Sequence, residues 1–225
     1  MKKLKLTQKK DVSDSLSLAI ILTLSGGFMD TYSYMCRGEV FANAQTGNLL
    51  LFGVNLSTGN FLHAMQYLFP VLSFALGIVT AEIVRHKYGQ QTNIHWRQIT
   101  LIIEALILFF VAFLSKDLNL LANSLTSFAC GAQVQSFRTV NGSGVATTMC
   151  IGNLRCATQA LCDYSTSKDR SALKNSFLYF GIITVFLIGA IIGNFFVNLW
   201  DEKAILVSSL LLLFGFVWML VRKEN

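Results

Sequence analysis

Apolar residues gather into long runs, near residues 16–35, 63–84, 98–115, 119–137, 175–199 and 204–221, separated by short polar breaks. A helix of ~20 apolar residues covers the ~30 Å hydrocarbon core of a bilayer, so these runs predict six transmembrane helices. Two further segments, about 41–56 (FANAQTGNLLLFGVNL) and 146–162 (ATTMCIGNLRCATQALC), are interrupted: each begins polar and turns apolar only after Gly-Asn. An extended stretch such as Phe41 to Thr46 reaches ~20 Å, enough to pass from an interface to the midplane. A helix of ~11 residues from Gly47 then climbs back ~16 Å to the same side. Both segments therefore read as re-entrant half-helices, whose non-helical backbone must be buried in protein or line a wet cavity. The competing reading is two ordinary, interrupted spans.

Composition strengthens the membrane assignment. Of the 225 residues 53% are hydrophobic and 13% charged, against about 25% charged in a soluble domain. The pattern predicts an all-α membrane protein: one integral domain over 1–225, with a basic cytoplasmic tail (1–15), a first repeat (16–115) and a second (119–221). The basic start followed by Leu16–Leu24 mimics a secretory signal, but the segment continues through Gly26, Gly27 and Asp30 without a small-x-small cleavage site, and is read as the first span. The net charge of +6 belongs to topology, and nucleic acid is not an expected partner. With six spans and the N-terminus inside, the inside holds 14 Lys and Arg (Lys2, Lys3, Lys5, Lys9, Lys10, Arg85, Lys87, Arg97, Arg138, Lys168, Arg170, Lys174, Arg222, Lys223) and the outside 3 (Arg37, Lys116, Lys203). With eight spans the split becomes 11 to 6. Because Lys and Arg favour the cytoplasmic side, six spans and cytoplasmic termini are preferred. The five cysteines form no C-x-x-C pair and read as packing residues.

The halves resemble each other. Val40 and Gly47-Asn48-Leu49 recur 105 residues later as Val145 and Gly152-Asn153-Leu154, and Tyr67, Phe74 and Gly77 recur 112 residues later as Tyr179, Phe186 and Gly189. Each half-helix precedes a span with a small-x-x-x-small pair, Gly77 with Ala81 and Gly189 with Gly193, suited to close helix packing. Three spans per half would invert the second repeat in the membrane, an arrangement associated with secondary transporters.

Gly26-Gly27-Phe28-Met29-Asp30, Val40-Phe41-Ala42-Asn43-Ala44-Gln45-Thr46-Gly47-Asn48, Gly131-Ala132-Gln133-Val134-Gln135 and Ala146-Thr147-Thr148-Met149-Cys150-Ile151-Gly152-Asn153-Leu154 together resemble the YoaK family of bacterial membrane proteins over nearly the whole chain. The resemblance implies a six-span protein of the bacterial inner membrane and supplies no function. Ile151 stands where a typical second repeat has threonine before Gly-Asn.

Polar residues at membrane depth carry the candidate chemistry. A carboxylate such as Asp30 inside a span costs about 3 kcal/mol unless it faces the bundle interior or a wet cavity, and Gln133 and Gln135 are its expected neighbours by repeat position. Glu104 and Glu82 are expected to reach an interface, Glu82 beside Arg85. In the re-entrant arrangement Thr46-Gly47-Asn48 and Ile151-Gly152-Asn153 bring two helix N-termini, with their positive dipole ends, to one place. Arg155 would add a cation with Asp30 as counter-ion; its competing reading is a headgroup snorkel. The candidate substrate-binding set is Asp30, Asn43, Gln45, Thr46, Gly47, Asn48, Gln133, Gln135, Gly152, Asn153 and Arg155. No nucleotide-loop, nucleophile-elbow or metal-ligand motif occurs, so neither enzymatic activity nor a cofactor or metal is expected; Gly142-Ser143-Gly144 is a turn signal. The function these residues point to is a small secondary transporter or permease for a small polar or anionic solute, with Asp30 as a proton site. A channel of the same architecture and a non-transporting scaffold or sensor are the alternatives. The expected partners are the lipid bilayer and the solute, and a homo-oligomer is compatible with the sequence.

Overall fold

The computed structural model describes residues 12–89 and 95–223. Among them eight α-helices follow in order: α1 (Leu16–Cys36), α2 (Gln45–Ser57), α3 (Phe61–Tyr88), α4 (Trp96–Val111), α5 (Asn119–Ser136), α6 (Ile151–Ser167), α7 (Arg170–Trp200) and α8 (Leu206–Lys223). The starts are written locally. Ser15, Asn60 and Asp169 each cap the next helix by accepting an amide of its first turn, and His95 with Gln98 forms a reciprocal capping box, satisfying donors that a helix leaves unpaired. The fold is all-α apart from a hairpin, β1 (Thr139–Val140) paired with β2 (Ser143–Gly144). Its turn, Asn141-Gly142, has positive φ at both residues (50° and 80°), the two-residue geometry that Asn-Gly favours. Asp14 pins it: its carbonyl accepts the Asn141 amide and its carboxylate the Gly142 amide, both at 2.8 Å.

Six helices coincide with the six apolar runs, and the two interrupted segments form the shorter helices α2 and α6. Two boundaries differ from expectation. Helix α2 begins at Gln45, two residues before Gly47, and α6 continues past 162 to Ser167. By length and apolarity alone, Phe61–Tyr88 and the α7–α8 stretch Arg170–Arg222 are able to cross a membrane. Helices α1 and α5 are more polar because they lie inside: Thr23, Ser25, Ser33, Asn123, Thr126, Ser127, Gln133 and Ser136 are all buried. The apolar surplus points outward, for example Leu72, Leu76 and Ile83 on α3, Phe109 and Phe110 on α4, Phe177, Ile191 and Phe195 on α7, and Leu210 and Phe214 on α8. An apolar surface of this extent matches a lipid solvent.

Glycines set the central packing. A Cβ on Gly27 would land on the Phe186 carbonyl oxygen, and one on Gly189 would land on that of Leu24, joining α1 to α7. The α3–α5 crossing repeats this with Gly77 against the Phe128 carbonyl and Gly131 against that of Phe74. Leu24 faces Gly189 and Phe28 faces Gly193, so α1 and α7 run parallel; Phe74 faces Gly131 and Glu82 accepts from Gln135, so α3 and α5 do as well. Contacts of α4 with α5 are matched by those of α8 with α1, and the α2–α3 pair by α6–α7, whereas the packing of α3 on α4 has no counterpart of that extent between α7 and α8.

Two clusters fix the ends of the bundle. At one end the Arg97 guanidinium donates to the Ser136 carbonyl at 2.8 Å and to the Ser13 hydroxyl, tying α4, α5 and the chain before α1 together. At the other end Arg37, counted above on the outer side, is only 1% exposed. It donates to the Tyr32 hydroxyl (2.7 Å), Asn119 Oδ1 and the Ser115 and Val111 carbonyls (3.2 Å each). Two of its acceptors lie at the end of α4 and just beyond it, where the negative end of a helix favours a cation. The tail lysines that weigh most in the charge count lie outside the described residues.

Candidate functional site

The chain between α1 and α2 folds back onto the middle of α1. Asn48, 0% exposed, holds Phe41 from both sides: its Oδ1 accepts the Phe41 amide at 3.0 Å and its Nδ2 donates to the Phe41 carbonyl at 2.7 Å. The second half repeats the clamp, Asn153 Oδ1 accepting the Ala146 amide at 3.2 Å and its Nδ2 donating to the Ala146 carbonyl at 2.7 Å. This is how non-helical backbone is satisfied deep in an apolar bundle. Both folded-back segments then meet α1: Asn43 Nδ2 donates to the Gly26 carbonyl at 3.0 Å, and a Cβ on Gly26 would stand 2.9 Å from the Thr147 carbonyl oxygen.

Asp30 is fixed in the same place. Its Oδ1 accepts the Asn43 amide at 2.7 Å, and the Ala42 and Ala44 backbones also reach the carboxylate. Asp30, Asn43, Gln45 and Thr46 from the first half and Thr148 and Cys150 from the second line one cavity of about 560 Å³, walled by Val71, Phe74, Ile78, Met149 and Phe186. A second cavity of about 740 Å³ adjoins it, sharing Asp30, Ala44 and Phe186 and extending along α1 and α7 past Tyr34 and Asn194. The first turns of α2 and α6 thus face a common space containing one carboxylate, and helix N-termini favour acceptor atoms there.

The remaining candidates separate from this group. Asn48 and Asn153 are clamps, and Gly47 lies against the Phe41 ring, 2.8 Å from where a Cβ would sit. Gln133 donates to the Leu22 carbonyl (3.2 Å) and Thr147 Oγ1 (3.3 Å), and Gln135 to Glu82 Oε2 at 2.6 Å. Neither lines the Asp30 cavity, since α5 turns them toward α1 and α3. Gly152 has nothing within 4 Å of a Cβ, so it is not a point of close approach. Arg155, an exposed residue, lines a separate cleft with Gln135, Arg138 and Gly152; one turn along α6 from the tip, it points away from Asp30. Glu82 pairs with Arg85 as expected. Glu104 does not reach an interface: it is 1% exposed, with both carboxyl oxygens without a hydrogen-bond partner among the described residues. The walls Phe74 and Phe186 were visible in the sequence only as a repeat pair.

The profile of a family described as "Protein of unknown function (DUF1275)" matches residues 18–218. The chain is 25% identical over 186 residues to UPF0700 transmembrane protein YoaK of Bacillus subtilis (strain 168), covering 78% of this chain and 81% of that one. No solved structure matches.

Proposed function

Because the chain belongs to the DUF1275 family and is similar to a transmembrane protein, we propose that it is a small secondary transporter or permease of the bacterial inner membrane. In this reading α1, α3, α4, α5, α7 and α8 cross the bilayer, α2 and α6 are re-entrant, and the halves are inverted repeats with cytoplasmic termini. The observation that carries it is the cavity of about 560 Å³ where the tips of α2 and α6 meet Asp30. A solute-sized cavity with a few polar groups between broken helices near the middle of a bundle is where carriers of this architecture bind. The expectation of an anionic solute drew on the two helix N-termini and on Arg155, and Arg155 lines a different cleft; a small polar solute is the form the cavity favours, with Asp30 open to protonation.

The test is uptake of small polar solutes by proteoliposomes containing the full chain, alongside ligand-dependent thermal stabilisation in detergent. A solute at ~100 times its Kd stabilises the folded form by about 2.7 kcal/mol. Ala75→Trp, which fills the cavity from α3, should abolish uptake and stabilisation while leaving the helical fold. Wild-type uptake by this variant, or no uptake of any small polar solute by the native chain, contradicts the reading.

A further inference from the structure

The two tips are built alike but carry different chemistry. Gly27 and Gly131 occupy equivalent crossings, 104 residues apart; at the same spacing Asp30 corresponds to Val134. The acid therefore exists in one half only. Asn43 and Thr148 are equivalent at the clamp spacing of 105. Each is 1% exposed and lines the cavity, and Asn43 Oδ1 and Thr148 Oγ1 have no hydrogen-bond partner among the described residues. Buried polar atoms are normally paired, so two unpaired atoms on residues that line one cavity point to a ligand that pairs them.

The charges are arranged as two poles. On the first side the backbone at the entry to α2 is engaged by Asp30, leaving a carboxylate and the Asn43 carbonyl oxygen, both acceptors. On the other side the 17-residue helix α6 presents its N-terminus, about half a positive charge, beside the Thr148 hydroxyl, which can donate. The titratable groups that face Asp30 from neighbouring elements are the thiols of Cys130 on α5 and Cys150 at the entry to α6, with the Tyr34 phenol in the adjoining cavity. Among the described residues no Lys, Arg or His lines the cavity.

We propose, resting on the transporter reading, that the solute is a small zwitterion carrying an ammonium and a carboxylate, of the amino-acid type. Its ammonium is taken by Asp30 and Asn43 Oδ1, and its carboxylate by the α6 tip and the Thr148 hydroxyl. The apolar walls Val71, Phe74, Ile78 and Met149 fit an aliphatic side chain between the poles. A plain anion would meet the Asp30 charge with one partial positive end to oppose it, and a plain amine would leave Thr148 and the α6 tip unused.

Thermal stabilisation of the purified full chain tests this with matched probes: glycine, alanine and leucine, the amine 3-methylbutylamine and the acid 4-methylpentanoate. An aliphatic amino acid should bind about ten- to a hundredfold tighter than either single-charge probe, as expected for one charged hydrogen-bonding group more or less. Asp30→Asn should remove the preference over the acid, and the isosteric Thr148→Val the preference over the amine. The proposal is overturned if the amine or the acid binds as tightly as leucine. It is also overturned if Thr148→Val leaves the preferences unchanged, or if the native chain takes up a neutral polyol but no zwitterion. In that last case the transporter reading stands; absence of uptake for every small polar solute removes both.

Discussion

At the scale of single residues, the most consequential side chains are those that satisfy backbone. Asn48 and Asn153 each hold an amide and a carbonyl seven residues earlier. Removing either leaves buried groups unpaired, at about 1–3 kcal/mol. Asn48→Ala and Asn153→Ala should each lower thermal stability in detergent by such an amount, and Asn48→Ala should also weaken solute binding, because Phe41 and Asn43 belong to one folded-back segment. Near-native stability in both variants would show that the clamps are incidental. The repeated Gly-Asn was legible from the sequence, but its role was not: spacing shows that two positions correspond and not which carbonyl each amide reaches. Glu104 was misjudged for the same reason, since burial depends on which distant helices cover a side chain. The Asn-Gly of the hairpin was a readable signal, and its strands are too short for alternation to show.

A pH effect belongs to this scale as well. Lys116, between α4 and α5, stands 2.6 Å from Asp201 in the turn between α7 and α8 and holds its carboxyl below the ordinary 3.8, while Asp201 raises the Lys116 ammonium above 10.5. A carboxyl with a lowered pKa contributes stability at neutral pH that is lost as pH falls through the lowered value. The lysine's contribution is lost only as pH rises beyond 10.5. Both side chains are half-exposed, so the effect is small and screened by salt. Asp201→Asn should therefore slightly lower the melting temperature at pH 7 and flatten its decline below pH 4; an unchanged acid limb contradicts the pairing.

At the scale of elements, four glycines decide how the helices cross. Gly27, Gly77, Gly131 and Gly189 each lie where a Cβ would strike a carbonyl oxygen of the facing helix, and a backbone atom cannot move aside as a flexible side chain can. Gly77→Ala and Gly189→Ala should cost about 1–3 kcal/mol or prevent assembly. Gly152→Ala, with open space around it, should change thermal stability by less than about 0.5 kcal/mol. Equal losses at Gly152 and Gly189 would mean that close crossing is not what these glycines provide. The small-x-x-x-small pairs pointed to Gly77 and Gly189; their partners Gly27 and Gly131 stood in the family-like motifs, where a packing use and a site use read alike.

At the scale of the whole molecule, the main helix pairs of the two halves correspond, while only the first half supplies a carboxylate to the cavity. Polar residues on α1 and α5 lie inside and the apolar surplus faces out, which made the membrane class legible from composition alone. In the proposed arrangement the sidedness of α2 and α6 rests on the charge distribution and the parity of the spans. It is tested by attaching a membrane-impermeant thiol reagent in intact cells to single cysteines at Ser57 and Ser167, exposed residues ending α2 and α6, with the five native cysteines replaced. The inverted re-entrant account predicts that Ser57→Cys labels from outside and Ser167→Cys only after the membrane is opened. Labelling of both from the same side would contradict it.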